Sequence, residues 1–562
     1  HRDLHRVDRR QRQMCIRDRS QIPLEETRLY RLYRRLMQPL LASAFRRRLL
    51  IGVITGLFLA SFLLPLTQAV QFRMLPKADK DTFLVQLDMP RGTELAATDA
   101  VARELEEVLK RDPEVFSFET YVGTGAPVDF NGLLRGSYRR EGEDVADIRV
   151  HLSQPESRRI DSEGIVLRLR PAMQAVAERH NAIVKLVEDP PGPPVRSTLL
   201  AEVYGPDYAQ LRQLAKQVRQ VFAETEGVVD IDDSVKNPIP QLTLKVDRER
   251  ANRVGLTTAE VSQTLSLALQ GSTVSILQLP GELTPVGIHV RLAPSARQSL
   301  EDLNRIQLPT PTGSLVPLSE LVEWVPTVAD EPIFHKDQRP VAYVMGEMAR
   351  RSSVYAVLDQ IAHFRQHPLP KGFWIQWDGE WKLTLDVFRD LGIAMLVAIL
   401  LIYLILVGQF RSFKVPLIIL GSIPLALIGI LVGFSLNGVY FSATAMIGVI
   451  ALAGIVVRNA IVLLEFIADQ RAQGVSLEKA LVAAGAVRFR PILLTSITTM
   501  LGTVPILSDP VWSGLAWTLL TGMLTSSALT LVVIPVWFYG DQIRLAKAKP
   551  ALEQAAAQPS HP

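Results

Sequence analysis

At 562 residues the chain is too long for one soluble domain. Apolar residues make up 48% of it and charged residues 21%, with the long apolar runs gathered near the start and in the last third. A formal charge of +4, without any basic stripe interleaved with aromatics, argues against nucleic-acid binding, and a single cysteine, Cys15, excludes a disulfide framework or a thiolate metal cage.

Residues 1–20 carry seven arginines and follow neither a helical nor a strand period. They read either as a non-native leader with no part in the fold or as a basic arm at a membrane surface. In residues 21–48, Tyr30, Leu36, Leu40, Leu41 and Phe45 alternate with Arg31, Arg34 and Arg35. That pattern suits a helix lying on the inner membrane surface, or one packed on a helical bundle. Residues 49–66 form the first of six runs apolar enough to cross about 30 Å of hydrocarbon. Since no small-residue cleavage site follows, this run reads as a span and not as a signal peptide.

The segment from Thr67 to Asp390 is patterned like a folded domain. Asp81–Met89 reads as a strand, and the next helix turns Val101, Leu105, Val108 and Leu109 to one side. Strand-like Phe116–Val122 and the alternation Val145, Asp147, Ile148, Val150, Leu152 follow. A helix over Ser162–His180, bent or started by Pro171, and a strand over Ala182–Glu188 complete a β-α-β-β-α-β order, that of a ferredoxin-like unit. The order recurs. Leu199–Tyr204, a helix over Tyr208–Glu224 with Leu211, Leu214, Val218 and Val221 inward, and Val228–Asp233 give the first half. Val341–Gly346, Val354–Phe364 and Phe373–Asp378 give the second, after an insertion with its own helix near Thr258–Ala268. DPPGPPV, residues 189–195, reads as a stiff linker between the repeats.

Five more spans lie within residues 391–538: Leu391–Val407, Val415–Phe434, Ser442–Ile467, Ile492–Leu507 and Leu515–Phe538. None keeps the polar stripe of a soluble core helix. Arg46, Arg47 and Arg48 precede the first span, and Arg411 and Lys414 join the second to the third. Arg471, Lys479, Arg488 and Arg490 lie between the fourth and fifth, with Arg544, Lys547 and Lys549 in the tail, residues 541–562. The loops around Asn437 and Asp509 carry no Lys or Arg. Positive-inside bias therefore predicts both termini in the cytoplasm and residues 67–390 in the periplasm.

One amphipathic helix, one span, a doubled ferredoxin-like domain with an insertion and five clustered spans resemble the second half of a resistance–nodulation–division (RND) efflux permease. Gln71–Leu95 resembles that family's passage from its seventh span into the porter domain, and Gly454–Phe466 (GIVVRNAIVLLEF) its tenth-span motif. Arg488–Ile506 and Leu529–Gly540 resemble its eleventh and twelfth spans. The likeness runs from about residue 21 to residue 542. It implies a first porter subdomain at 71–190, a second at 197–236 plus 335–378, and a docking subdomain at 237–334. It also implies a homotrimer of complete protomers in the bacterial inner membrane, a periplasmic adaptor, an outer-membrane channel, a small-molecule substrate and surrounding lipid. Six of the family's usual twelve spans are absent, so the chain reads as a truncated gene or as a true half-subunit.

Arg458 sits nine residues, about 13 Å of helix, inside the cytoplasmic end of its span. A cation at that depth calls for a counter-charge or a wet cavity, yet no Asp or Glu occupies the middle of any of the six runs. The resemblance implies that an aspartate pair in the missing half supplies the mate and that proton binding there drives export. The family usually has lysine where this chain has Arg458, and a guanidinium holds its proton throughout; a fixed ion pair that only joins helices is the alternative. Asn459, Thr495 and Arg488 match other members of the family's proton relay. On the residues alone, Thr495 is a backbone-bonded span threonine and Arg488 a positive-inside residue. Glu465 is interfacial, and Gly448, Ala451 and Gly454 read as points of close helix approach.

Phe130 and Tyr138, with Trp374 and Trp377, line a drug path or simply fill core. Met345 and Met348 could suggest soft-metal export, though paired methionines usually fill core gaps. No phosphate-binding loop, zinc-protease motif or nucleophile elbow occurs, so neither a cofactor nor an enzymatic activity is expected. The leading expectation is a proton-driven exporter of amphipathic small molecules. A relative that serves protein secretion or lipid transport, or an inactive fragment, are the alternatives.

Overall fold

The computed structural model describes residues 28–556 except 190, 191, 194, 237, 283 and 284, so Cys15 and the leader reading of residues 1–20 lie outside the described residues. Helix α1, Arg28–Ala42, buries Tyr30, Tyr33, Met37 and Leu41, residues spaced three and four apart. Leu36 and Phe45, expected on that face, are 51% and 74% exposed, because the buried stripe runs one position around through Tyr33 and Met37. The ring of Tyr33 lies against Gly485 and its hydroxyl donates to the Leu531 carbonyl at 2.6 Å, so α1 packs on the bundle. Helix α2, Ala44–Leu66, is the first apolar helix of spanning length.

Between the first two spans lie a four-stranded and a five-stranded antiparallel sheet, whose four main strands share one connectivity. In the first, β1 (Thr82–Asp88), β2 (Val115–Thr124), β3 (Glu141–Leu152) and β4 (Ile183–Glu188) take the order β2-β3-β1-β4. Alternation in β1 puts Phe83, Val85 and Leu87 on one side, where they meet Val101, Leu105 and Leu109 of α3 (Leu95–Lys110). Helix α4 (Phe130–Arg135) sits between β2 and β3, its first turn capped by Asp129, whose side chain accepts from Gly132 N–H. Helix α5 (Ser162–Arg179) adds Ile165, Leu169, Met173 and Val176 to the same core and runs through Pro171, which neither begins nor ends it.

The second sheet uses β5 (Leu199–Tyr204), β6 (Val228–Asp233), β14 (Arg339–Met348) and β15 (Trp374–Gly379). Strand β14 pairs β6 on one side and β5 on the other, and β5 pairs β15. Helix α6 (Tyr208–Glu224) buries Leu211, Leu214, Val218 and Phe222; Phe222 takes the place expected for Val221, which is only half-buried.

Residues 236–334 form a separate compact unit. Its strands pair as β7 (Pro240–Val246) with β12 (Val322–Val328), β8 (Ser272–Leu277) with β9 (Val286–Val290), and β10 (Gln307–Pro309) with β11 (Leu315–Pro317). Helix α7 (Thr258–Leu269) opens on a full capping box between Thr257 and Glu260, and Leu256, Val261, Leu308, Leu318 and Leu321 make the core.

The chain then adds strand β13, the short hairpin arm His335–Lys336 against the start of β14, before helix α8 (Ser353–Gln366) packs Ala356 and Val357 on the second sheet. At Gly379 the backbone takes φ +72°, and a Cβ would lie 2.5 Å from the Ser197 carbonyl, so glycine is required where β15 turns into a span.

Five further helices of spanning length follow: α9 (Glu380–Phe410), α10 (Lys414–Asn437), α11 (Ala443–Ala472), α12 (Leu477–Thr503) and α13, which begins at Ser513. Glycines of α10 and α11 meet threonines of α13. A Cβ on Gly429 would stand 2.1 Å from Thr525, on Gly433 2.4 Å from Thr521, and on Gly448 2.9 Å from Thr518. Small residues thus bring the backbones close, the means by which helices associate where the hydrophobic effect gives no drive. Gly454, expected to do the same, has no neighbour within 4 Å, and Ala451 is exposed.

Candidate functional site

The reason Gly454 and Ala451 stand free also places Arg458. Helix α11 packs through Gly448, Leu452, Val456, Asn459 and Leu463, leaving Ile447, Ala451, Gly454, Arg458 and Glu465 as a stripe on its opposite face. The spacing of three, four and seven is that of one helix side. Arg458 is exposed on that stripe, fifteen residues or about 22 Å from the first residue of α11. Among the described residues it has neither an ion pair nor a hydrogen bond. On its N-terminal side the stripe is small, Gly454 and Ala451, so another helix can approach the guanidinium from there.

The other residues named from sequence do not gather around it. Asn459 is buried on the packed side of α11. Thr495 donates to the Ile492 carbonyl of its own helix at 3.0 Å. Arg488 is half-buried on α12, its guanidinium 5.3 Å from the centre of the Phe466 ring of α11 and its Nε without a partner. No ion pair or hydrogen bond joins Arg458 to Asn459, Thr495 or Arg488 among the described residues. Tyr138 is half exposed and carries Arg139 over its ring at 5.3 Å, while Phe130 opens α4 with a side chain that lies outside the described residues. Trp377 packs on Phe222 in the core, and Trp374 stacks on Tyr204. Met348 is buried in the second core and Met345 is half-buried beside a cavity. Among the described residues no group of three or more His, Cys, Asp or Glu could hold a metal ion.

What sequence reasoning missed is a charge network where the two sheets face each other. Arg135 of α4 meets Glu347 of β14 at 2.8 Å, and Lys185 of β4 meets Asp232 of β6 at 2.5 Å and Asp88 of β1 at 2.9 Å. Arg170 of α5 pairs with Asp230, which sits in the left-handed region at φ +52° and also accepts the Leu186 N–H. Arg140 ties Asp88 to the fully buried Asp147 at 2.6 and 2.8 Å. Burial alone would push Glu347 and Asp88 upward, but Arg135, and Lys185 with Arg140, hold them below the ordinary carboxylate range. Burial prevails at Asp230 and Glu188, whose carboxyls are pushed up in spite of Arg170 and Lys77. Sequence carried no local signal for this network, because Asp88, Asp147 and Lys185 stand at strand positions opposite the core face, where alternation calls for polar residues anyway.

Residues 16–540 match the model of the AcrB/AcrD/AcrF family. The cobalt-zinc-cadmium resistance protein CzcA of Cupriavidus metallidurans is 30% identical over 355 residues, 61% of this chain and 33% of that protein. The toluene efflux pump membrane transporter TtgB of Pseudomonas putida is 24% identical over 500 residues, 87% of this chain and 46% of that protein. The crystal structure of a heavy metal efflux pump superimposes with a TM-score of 0.76 at 23% identity, covering 91% of this chain and 52% of the other, and so shares its fold. The chain spans between a third and about half the length of these relatives. With a family match over nearly its whole length and six helices of spanning length, the chain belongs to the AcrB/AcrD/AcrF family and is part of an RND permease.

Proposed function

We propose that this chain supplies the second half of an inner-membrane permease that exports amphipathic small molecules in exchange for protons. The observation that carries the reading is Arg458, a cation within a membrane-spanning helix, one turn from Gly454 on an open face and without a carboxylate partner among the described residues. An ionised group at that depth costs several kcal/mol unless something pairs with it. A carboxylate on a helix of the complementary half would do so, and would stay ionised beside the fixed cation. Protonation of that carboxylate breaks the pairing, and the helices shift to the arrangement then preferred. Because the guanidinium does not titrate, the proton resides on the acid. Arg488, with Nε unsatisfied, is a second member of the path, and Asn459 and Thr495 complete it. Substrate moves between the two sheet units, with Phe130 and Tyr138 along its way. The complete protomers assemble as trimers with a periplasmic adaptor and an outer-membrane channel, both termini in the cytoplasm and residues 67–390 outside.

The likeness to CzcA favours a second reading, export of a divalent metal ion. One experiment serves both. In a cell lacking its own pumps, the chain is expressed with its complementary half, and survival is measured against amphipathic drugs and against zinc or cobalt. Protection against drugs that disappears with Arg458→Ala supports the leading reading. Protection against the metals alone moves the assignment to the second, and undiminished export by the alanine variant refutes the ion-pair mechanism.

A further inference from the structure

Where the two sheet units meet, two cavities of about 70 and 170 Å³ share Arg135 and Glu347 as a common wall. The first extends to Arg73 and to Glu380 and Leu383 at the start of α9; the second is bounded by Arg140, Lys185, Arg196 and Asp232. Among the described residues neither lining contains an aromatic side chain. Pockets for small molecules are usually apolar and aromatic with a few polar groups, so linings that set many charged side chains beside aliphatic ones, Met74, Leu75 and Leu383 among them, restrict what they can hold.

Most of the cations there are matched within the chain. Lys77 has Glu188, Arg135 has Glu347, Arg170 has Asp230, and Lys185 has Asp88 and Asp232. Two are not. Arg196 lies 3.9 Å over the Tyr343 ring in the second cavity and has no ion pair among the described residues. Arg73, in the first, is only 6% exposed, sits 5.4 Å over the Tyr440 ring and has an unpartnered Nε; the Glu380 carboxyl on the same wall acts on it electrostatically but forms no ion pair with it. Arg170, on the same wall, also has a buried Nε without a partner. Stacking on a ring occupies the face of a guanidinium and leaves its in-plane N–H donors free for an oxyanion. A cation taken out of water without a counter-charge is costly, and an incoming anion offsets that cost.

We propose that these joined cavities receive the anionic oxygen headgroup of the exported molecule, a carboxylate, sulfonate or phosphate, with Arg73 and Arg196 as its two receiving guanidinia. This rests on the chain being part of an exporter and narrows its cargo to anionic amphiphiles. Charge-assisted, forked hydrogen bonds make arginine the suited residue for such a headgroup.

The test is fluorescence polarisation on the purified chain in neutral detergent, with two probes on the same xanthene frame, the fluorescein anion and the tetramethylrhodamine methyl ester cation. Fluorescein should bind at least about tenfold more tightly, the scale of one charge-assisted hydrogen bond. Arg196→Gln and Arg73→Gln should each weaken fluorescein by about tenfold and leave the rhodamine unchanged, with Arg196→Lys restoring part of the loss. Arg339→Gln removes a guanidinium from the ring of Trp374, outside both cavities, and should change nothing. Equal affinity for the two probes on the unaltered chain, or undiminished fluorescein binding in Arg196→Gln, overturns the proposal. The assay involves no proton gradient, so Arg458→Ala should bind fluorescein normally. Export that ignores Arg458 would then sink the pump mechanism while the anion preference stands, and loss of the anion preference alone would sink only the headgroup assignment.

Discussion

Two regions of this molecule take charge out of water, and they treat it in opposite ways. Between the two sheets, Arg135, Arg140, Arg170 and Lys185 each find a carboxylate on the same chain. On α11, Arg458 finds none among the described residues. The neighbouring helices differ likewise: 56% of the apolar window of α10 and of α11 is buried, against 6% of that of α9. In the sheet region these four cations are closed by carboxylates, Arg73 and Arg196 standing apart, so the paired charges hold structure together. The bundle presents a charge and bare apolar helix sides at once, the pattern of a surface that another polypeptide completes. A buried ion pair adds little net stability but makes the loss of either partner costly, whereas an unpaired cation can be deleted from the isolated chain at little cost.

That contrast can be broken or sharpened by measurement. The largest effect is expected from Asp147→Ala, which strips a fully buried carboxylate from Arg140 and from the Ala126 N–H. Unfolding of the chain in neutral detergent should show a loss of about 3–5 kcal/mol. An unchanged midpoint would mean that the sheet network is not closed as described. Next is Gly433→Val, whose side chain would drive into Thr521 of α13. Overpacking of this kind costs about 1–3 kcal/mol, read as a lowered melting midpoint, while Gly454→Ala, with open space around it, should lose almost none. Tyr33→Phe removes the hydroxyl that donates to the Leu531 carbonyl and should cost about 1 kcal/mol, with release of α1 seen as faster hydrogen exchange.

A pH series resolves the sheet region further. Glu347 and Asp88 are depressed, so their contribution is complete above the ordinary carboxylate pKa of about 4 and is lost as pH falls through the lower folded values. Asp230 and Glu188 are raised, so theirs is complete below about 4 and is lost as pH rises through the higher folded values. The melting midpoint should therefore peak near the ordinary carboxylate pKa of about 4, losing the raised pair's contribution above it and the depressed pair's below it. A midpoint that falls steadily from neutral pH would contradict the assigned directions. The smallest effect belongs to Arg458→Ala, within about 0.5 kcal/mol on this chain alone. A loss of several kcal/mol there would reveal a partner within the chain and remove the reason to seek one outside it.

Hydropathy made the membrane helices readable because burial in hydrocarbon demands long unbroken apolar runs, which no distant contact can supply. Period-two alternation likewise revealed the strands: Thr82–Asp88 lies inside the run expected from Asp81 to Met89, and Ser353–Gln366 extends the helix expected over Val354–Phe364 by a residue or two at each end. Pro171 and Val221 misled, since a proline can stand inside a helix on its exposed side and adjacent apolar residues compete for one buried position. Arg458 stood out because its oddity is local, a charge in an apolar run.

The sequence by itself thus determined where the apolar helices lie, which strands alternate and which cation sits inside a span, all properties written in residues next to one another. Only the tertiary structure decided that Lys185 meets Asp232 across two sheets, that Gly448 packs while Gly454 does not, and that Arg73 and Arg196 form no ion pair among the described residues. Those depend on which helix face turns inward and which strands become neighbours. That choice is made by long-range packing, to which a charge or a glycine at one position contributes no periodic signal.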